Sequence, residues 1–219
     1  MKVRDRMATG VKTVDMESSI TEAFRLMKDN NIRRLPVMDK GKLTGIVTLT
    51  DLNQASPSSA TSLSIHELNY LLAKTKIRDI IPKKQKLITI GPENYIETAA
   101  KIMRENTISG LPVVEDGKLV GIVTETDIFD ALIDILGVRR QHTRIDIFLK
   151  DPPGSIAEVT GLVAARGINI INTVVYYEKR KGKYKMILRM EELNYEPVVA
   201  ELKDKGYEVE SVIVRDGND

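Results

Sequence analysis

Two pairs of residues in this chain have the types and spacing to hold a small polar ligand. Thr48 stands three positions before Asp51 in GKLTGIVTLTD (residues 41–51), and Thr124 stands three before Asp127 in GKLVGIVTETD (residues 117–127). Each pair falls where an apolar, strand-like run gives way to a helix start. First-turn amides and the helix dipole favour an anion at such a place. The threonine hydroxyl can bond a phosphate oxygen while the carboxylate takes two ribose hydroxyls. The same residues can equally close a helix end, with Thr50 or Asp51, and Thr126 or Asp127, as simple caps. Local sequence leaves both roles open. Gly45 and Gly121, within the two strands, would let a ligand or a neighbouring strand come close to the backbone.

No catalytic constellation accompanies these pairs. Cysteine is absent, which removes disulfides, thiol catalysis and thiolate metal sites. The two histidines, His66 and His142, lie 76 positions apart in unrelated contexts, and there is no P-loop. The chain is therefore expected to be no enzyme, with no catalytic residue, metal or catalytic cofactor. Its 33 basic and 31 acidic residues leave a net charge of +2, too balanced to imply a nucleic-acid or membrane partner. With no Trp and only 3 Phe and 7 Tyr, there is little to stack on bases. The basic run EKRKGKYK (178–185) reads as a solvated hairpin turn. MKVRDRMATG has no apolar core of signal type, and no window approaches 18 apolar residues. A cytoplasmic protein is expected.

The elements that must position the two pairs are themselves repeated. IRRLPVMDKGKLTGIVTLTDL (32–52) and ISGLPVVEDGKLVGIVTETDI (108–128) share 13 of 21 positions. The match continues upstream at the same offset of 76, with Ile20, Ala23 and Met27 facing Ile96, Ala99 and Met103. VRDRM (3–7) also resembles IRDII (77–81). Apolar residues at Ile20, Ala23, Phe24 and Met27, and at Ile96, Ala99, Ala100 and Met103, predict a short amphipathic helix in each copy. Ser19…Glu22 and Asn94…Glu97 read as their capping boxes. LPV opens a strand, DKG or EDG makes a tight turn, and KLTGIVT or KLVGIVT returns. Each copy is then a β-α-β-β-α unit, too small to be comfortable alone. The first occupies 1–53 and the second 75–136. The segment 54–74 joins them, with Ile65, Leu68, Leu71 and Leu72 at helical spacing.

Past a short basic hinge at 137–142 the pattern changes. TRIDIFLKD reads as a strand, PPG as a turn, and Ser155…Glu158 as a capping box before IAEVTGLVAARG. INIINTVVYYE and KYKMILRM are strands, NYEPVVAELKDKG is a helix, and YEVESVIV is a last strand. The order β-α-β-β-α-β over 143–219 predicts a ferredoxin-like unit, and the whole chain an α/β (α+β) fold.

LPVxxxGKLxGIVTxTD, written twice at a fixed offset, resembles a tandem pair of CBS domains. DPPGSIAEV followed by RGINI is similar to an ACT domain. The arrangement as a whole resembles the acetoin-utilisation protein B type of small bacterial and archaeal protein. The resemblance implies a site for an adenosyl nucleotide in each copy: AMP, ADP, ATP or S-adenosylmethionine as a regulatory ligand. The Asp would hold the ribose, the Thr a phosphate, and apolar residues of the first and LPV strands the base. Copy one would then offer Thr13, Val14, Ile32, Leu35, Pro36, Thr48 and Asp51. Copy two would offer Thr89, Ile90, Ile108, Leu111, Pro112, Thr124 and Asp127.

The copies differ at Arg33-Arg34, which face Ser109-Gly110, and at Leu49, which faces Glu125. A polyphosphate would want the arginines, so Arg34 joins copy one's site and copy two is expected to be the barer. In the ACT-like unit, Asp151, Gly154, Ser155, Ile156 and Asn169 would bind an effector such as an amino acid, unless that unit only dimerises. The implied function is that of a ligand-sensing regulatory protein, a homodimer through its CBS and ACT units, acting on a regulated enzyme or transporter. The alternative is an oligomeric adaptor with no ligand in its clefts.

Overall fold

The computed structural model describes residues 1–56, 64–81, 86–150 and 153–216. After a 3₁₀ turn at Val3–Asp5, the first copy comprises β1 (Val14–Asp15), α1 (Ile20–Asp29), β2 (Arg34–Asp39), β3 (Lys42–Thr48) and α2 (Leu49–Ala55). Next come α3 (Ile65–Lys74) and α4 (Ile77–Ile80). The second copy continues as α5 (Ile96–Asn106), β4 (Gly110–Glu115), β5 (Lys118–Thr124) and α6 (Glu125–Leu136). The remainder is β6 (His142–Phe148), α7 (Ser155–Ala165), β7 (Ile170–Glu178), β8 (Lys183–Met190), α8 (Glu196–Asp204) and β9 (Glu208–Arg215). These form two compact units, Met1–Ile128 and Phe129–Asp219, divided within α6. No helix among the described residues is long and apolar enough to cross a membrane.

The two copies fold alike for the reasons their sequences state. In each, two strands pair antiparallel across a two-residue turn whose central residues both have positive φ: Lys40 (49°) and Gly41 (79°), then Asp116 (49°) and Gly117 (76°). That turn matches the natural twist of a hairpin. Ile20, Ala23 and Met27 of α1, and Ile96, Ala99 and Met103 of α5, turn the buried faces of the two helices inward. Ser19 caps α1 by accepting from the Glu22 amide (3.2 Å). The corresponding box in copy two does not form. Asn94 instead donates its side-chain amide to the Gly91 carbonyl (3.2 Å), and the Ile96 amide goes to the Met1 carbonyl (3.1 Å).

That last bond belongs to an exchange that the repeat pattern does not announce. The leading segment of each copy packs on the other copy. Val3, fully buried, donates its amide to Asn94 O (2.8 Å), and Ala8 and Ile122 exchange both backbone bonds (2.9 and 3.0 Å). Gly121 permits this approach: a Cβ there would lie 2.5 Å from Met7 Sδ and 3.1 Å from Ala8 O. Reciprocally, Ile77 of α4 is buried in the first copy's core with Ile20, Leu35 and Leu52, and its amide bonds Ser18 O (2.9 Å). Leu72 of α3 packs against the same cluster.

The C-terminal unit is an antiparallel sheet in the order β7-β8-β6-β9, the ferredoxin-like fold expected. Val159 and Val163 of α7 and Val198 and Leu202 of α8 pack on Ile145, Ile147, Met186, Leu188 and Met190 of the sheet. The stretch read as a hinge is tied to this unit: Arg215 Nη1 donates to Val138 O (3.0 Å), and Arg139 pairs with Asp130 (3.1 Å).

The Ser155…Glu158 box is replaced by longer-range bonds. Gly154 (φ 99°) is the N-cap, Ser155 Oγ donates to Lys150 O (2.9 Å), and Glu158 accepts from the Tyr207 hydroxyl (2.6 Å). Burial first, and the Glu158 bond second, raise the Tyr207 phenol above its ordinary value. The folded state thus holds this proton more tightly than the unfolded chain. Its contribution to stability is present below about pH 10 and falls as pH rises through the folded value. Chemical denaturation between pH 8 and 11 is expected to show a smaller alkaline loss in Tyr207→Phe than in the parent.

Candidate functional site

At the end of β3 and of β5 the sequence makes the same local structure. Thr48 donates from its amide and from Oγ1 to one oxygen of Asp51 (2.7 Å each), and the Asp51 amide returns a bond to Thr48 Oγ1 (3.3 Å). Thr124 donates in the same two ways to Asp127 (2.7 Å each). The N-cap of α2 is therefore Thr48, with Asp51 as its reciprocal partner, rather than Thr50 or Asp51 acting alone. Both carboxylates are half-buried and held by Oδ2, so their direction is fixed before any ligand arrives.

Each pair opens onto a cleft whose other wall comes from the opposite copy. Thr48, Asp51 and Ile46 share a cavity of about 210 Å³ with Lys86, Leu87, Ile88 and Thr107–Gly110. Thr124, Asp127 and Ile122 share one of about 490 Å³ with Ala8–Lys12, Asn30–Arg34, Glu125 and Thr126. The exchanged leading segments explain the crossing, since each carries its following residues to the other copy's Thr–Asp pair. Ile108 also lies with Asp51, and Ile32 with Asp127. Arg33 is thus placed away from the pair the sequence assigned it to, while Arg34 stays in the first cleft's lining. Arg33 lines the second cleft, Ser109 lines both, and Gly110 lines the first.

Arg34 lines both cavities. Its Nη1 donates to the Ser109 carbonyl and its Nη2 to Ser109 Oγ (2.7 Å). Burial, with Arg33 beside it, pulls the guanidinium below its ordinary value, against the opposing pull of Glu125 and Asp127.

The other expected residues lie elsewhere. Leu35 and Leu111 have no exposed surface, Val14 and Ile90 are buried, and so are Pro36 and Pro112. None of these six lines either cleft. For the leucines the cause is strand alternation: Leu35 and Val37 pack with the copy's own helices, and Arg34 lies on the opposite face. Thr13 lines a separate groove with Met38 and Lys118–Val120, and Thr89 is exposed. Local reading missed Lys12 and Lys86, and it placed Ser109 with the second copy's pair alone. The offset of 76 relates the two walls, but only the exchange brings them to these clefts.

Of the residues expected to hold an effector in the C-terminal unit, Asp151 lies outside the described residues. Gly154 and Ser155 begin α7 as above, Ile156 is exposed, and Asn169 accepts the Glu191 amide through its backbone (3.0 Å). Among the described residues, no group of three or more Asp, Glu or His side chains is placed to hold a metal.

Comparison with known proteins agrees with the repeat. The family model described as CBS domain matches residues 3–58 and 77–134. A CBS domain-containing protein of Dictyostelium discoideum is 34% identical over 136 residues, and an uncharacterized protein of Methanocaldococcus jannaschii is 35% identical over 157. Each alignment covers 61% of this chain and 92% of the relative. Among solved structures, a putative acetoin utilization protein from Vibrio cholerae superposes with a TM-score of 0.51. It is 28% identical and covers 63% of this chain and 94% of its own.

Proposed function

The chain belongs to the CBS-domain family, and from that premise we propose that its repeat pair is a non-catalytic regulatory module that takes an adenosyl nucleotide, foremost in the second cleft. One observation carries the reading. A cavity of about 490 Å³ sets a pre-oriented carboxylate, Asp127, in the same lining as Lys12, Arg33 and Arg34. That volume is within the usual range for small-molecule sites, and the first cleft falls below it. Asp127 supplies an acceptor for ribose hydroxyls, the cations meet phosphate, and Ile32 and Ile122 offer apolar surface to a base. Guanidinium forks favour AMP, ADP or ATP over a phosphate-free ligand. In this reading the ferredoxin-like unit acts as an ACT-type partner, dimerising or binding a small effector. The signal passes to a regulated enzyme or transporter.

The adaptor reading draws on a single observation: both Thr–Asp pairs already satisfy one another as helix caps. Isothermal titration of AMP, ADP, ATP, S-adenosylmethionine and cyclic di-AMP separates the two. Saturable binding is expected, weakened about tenfold to a hundredfold by Asp127→Ala, the worth of one charged hydrogen-bond set, and little changed by Asp51→Ala. Circular dichroism would confirm that both variants are folded. No binding of any of the five ligands to folded protein would discard the nucleotide reading in favour of the adaptor.

A further inference from the structure

We propose that Arg34 is one cation shared by two clefts, so that the pair accepts a single phosphate-bearing ligand tightly and resists a second. The proposal rests on the nucleotide reading above and concerns how the two sites are regulated.

The repeat offset relates the cleft walls residue by residue: Thr48 to Thr124, Asp51 to Asp127, Ile46 to Ile122, Ile108 to Ile32, Ser109 to Arg33 and Gly110 to Arg34. A symmetric pair would place an arginine at both 34 and 110. With Arg34 placed as it is, position 110 has no room for one. A Cβ on Gly110 would lie 2.5 Å from Arg34 Nη1 and 2.9 Å from its Cδ, so the space an equivalent side chain would need is already occupied. One guanidinium therefore stands between the clefts, and Ser109, the counterpart of Arg33, holds it there through both terminal nitrogens.

Charge makes the sharing consequential. With Arg34 counted in each, the ionisable side chains of both linings leave one positive charge over. The first has Arg34 and Lys86 against Asp51, and the second has Lys12, Arg33 and Arg34 against Glu125 and Asp127. A phosphate that engages Arg34 from either side leaves the other lining with no net charge for a second anion. The clefts thus compete for a fixed resource, which is negative cooperativity, an unfavourable coupling free energy between two sites. The larger cavity and the adjacent Arg33 give the second cleft the first claim. The first cleft is left to an adenosyl ligand without phosphate.

The test is the stoichiometry of AMP and ATP by calorimetry and native mass spectrometry, on the parent and on Arg34→Met, which keeps a long side chain over Gly110. The parent is expected to bind one equivalent per chain, with the second at least tenfold weaker. Asp127→Ala should weaken the tight event about tenfold to a hundredfold. Arg34→Met should weaken that event at least tenfold and leave the two events independent of each other. Two equal and independent sites in the parent would overturn the sharing while leaving the nucleotide reading intact, as would an unchanged binding curve in Arg34→Met. No binding at all would overturn both.

Discussion

Leu35→Ala and Leu111→Ala should each lower the unfolding free energy by about 2–5 kcal/mol, the usual range for emptying a leucine site in a packed core. Under the proposed nucleotide reading, affinity of the folded fraction should stay within about twofold of the parent, since neither leucine lines a cleft. Both leucines have no exposed surface and sit on the helix-facing side of their strands, paired across the hairpins with Val47 and Val123. Leu35 also belongs to a cluster with Ile20, Met27, Leu52 and Ile77, so its loss loosens both α1 and the exchanged segment around α4. The result separates two roles that the sequence could assign to the same residues. Urea denaturation reads the stability and calorimetry at low urea reads the binding. A leucine variant of unchanged stability that loses affinity would mean that the side chain faces the ligand, contrary to the core placement.

How far the sequence carried the fold turns on which interactions are local. The hairpins, the amphipathic faces of α1 and α5 and the βαββαβ order of the C-terminal unit are set by residues a few positions apart, and periodicity and turn chemistry disclose them. Helix starts are less legible where a distant group competes. Asn94 and Ser155 occupy capping positions by spacing, yet Met1 takes the amide that begins α5, and Lys150 and Tyr207 take the groups that would have closed the box on α7. The clefts were half legible. Thr48, Asp51, Thr124 and Asp127 announce themselves by repetition, and Ile32 and Ile108 by their place in the repeat. Their pairing across copies does not, because it depends on leading segments of only a few residues changing sides. Arg33-Arg34 against Ser109-Gly110 was visible as a difference between copies. That Arg34 lies where a Cβ on Gly110 would fall was not.

Replacing Asp146 with Ala should cost about 3–5 kcal/mol, the penalty for breaking a buried ion pair and leaving its partners uncompensated. Asp146 is 4% exposed on the face of the C-terminal sheet opposite α7 and α8. It takes Arg144 Nε and Nη2 in a bidentate pair (2.7 and 2.8 Å) and stands 3.7 Å from Lys185 Nζ, which also pairs with Glu210. Without it, Arg144 loses its carboxylate and Arg189, the cross-strand neighbour of Arg144, gains a less compensated cation beside it. Arg189 should answer in the opposite sense. It is 4% exposed, its Nε and Nη1 have no acceptor among the described residues, and burial followed by Arg144 pulls its guanidinium below the ordinary value. Arg189→Met removes donors that are desolvated without return, so stability should hold or rise by about 1–3 kcal/mol. Five of the seven tyrosines, Tyr176, Tyr177, Tyr184, Tyr195 and Tyr207, lie in this unit. Tyrosine fluorescence during urea denaturation therefore follows its unfolding more than that of the repeats. High salt should leave the Asp146→Ala loss largely in place, because buried pairs are screened far less than exposed ones. An Arg189→Met variant as damaged as Asp146→Ala would mean that Arg189 has a partner after all, and would make this sheet face a network in which every charge is needed.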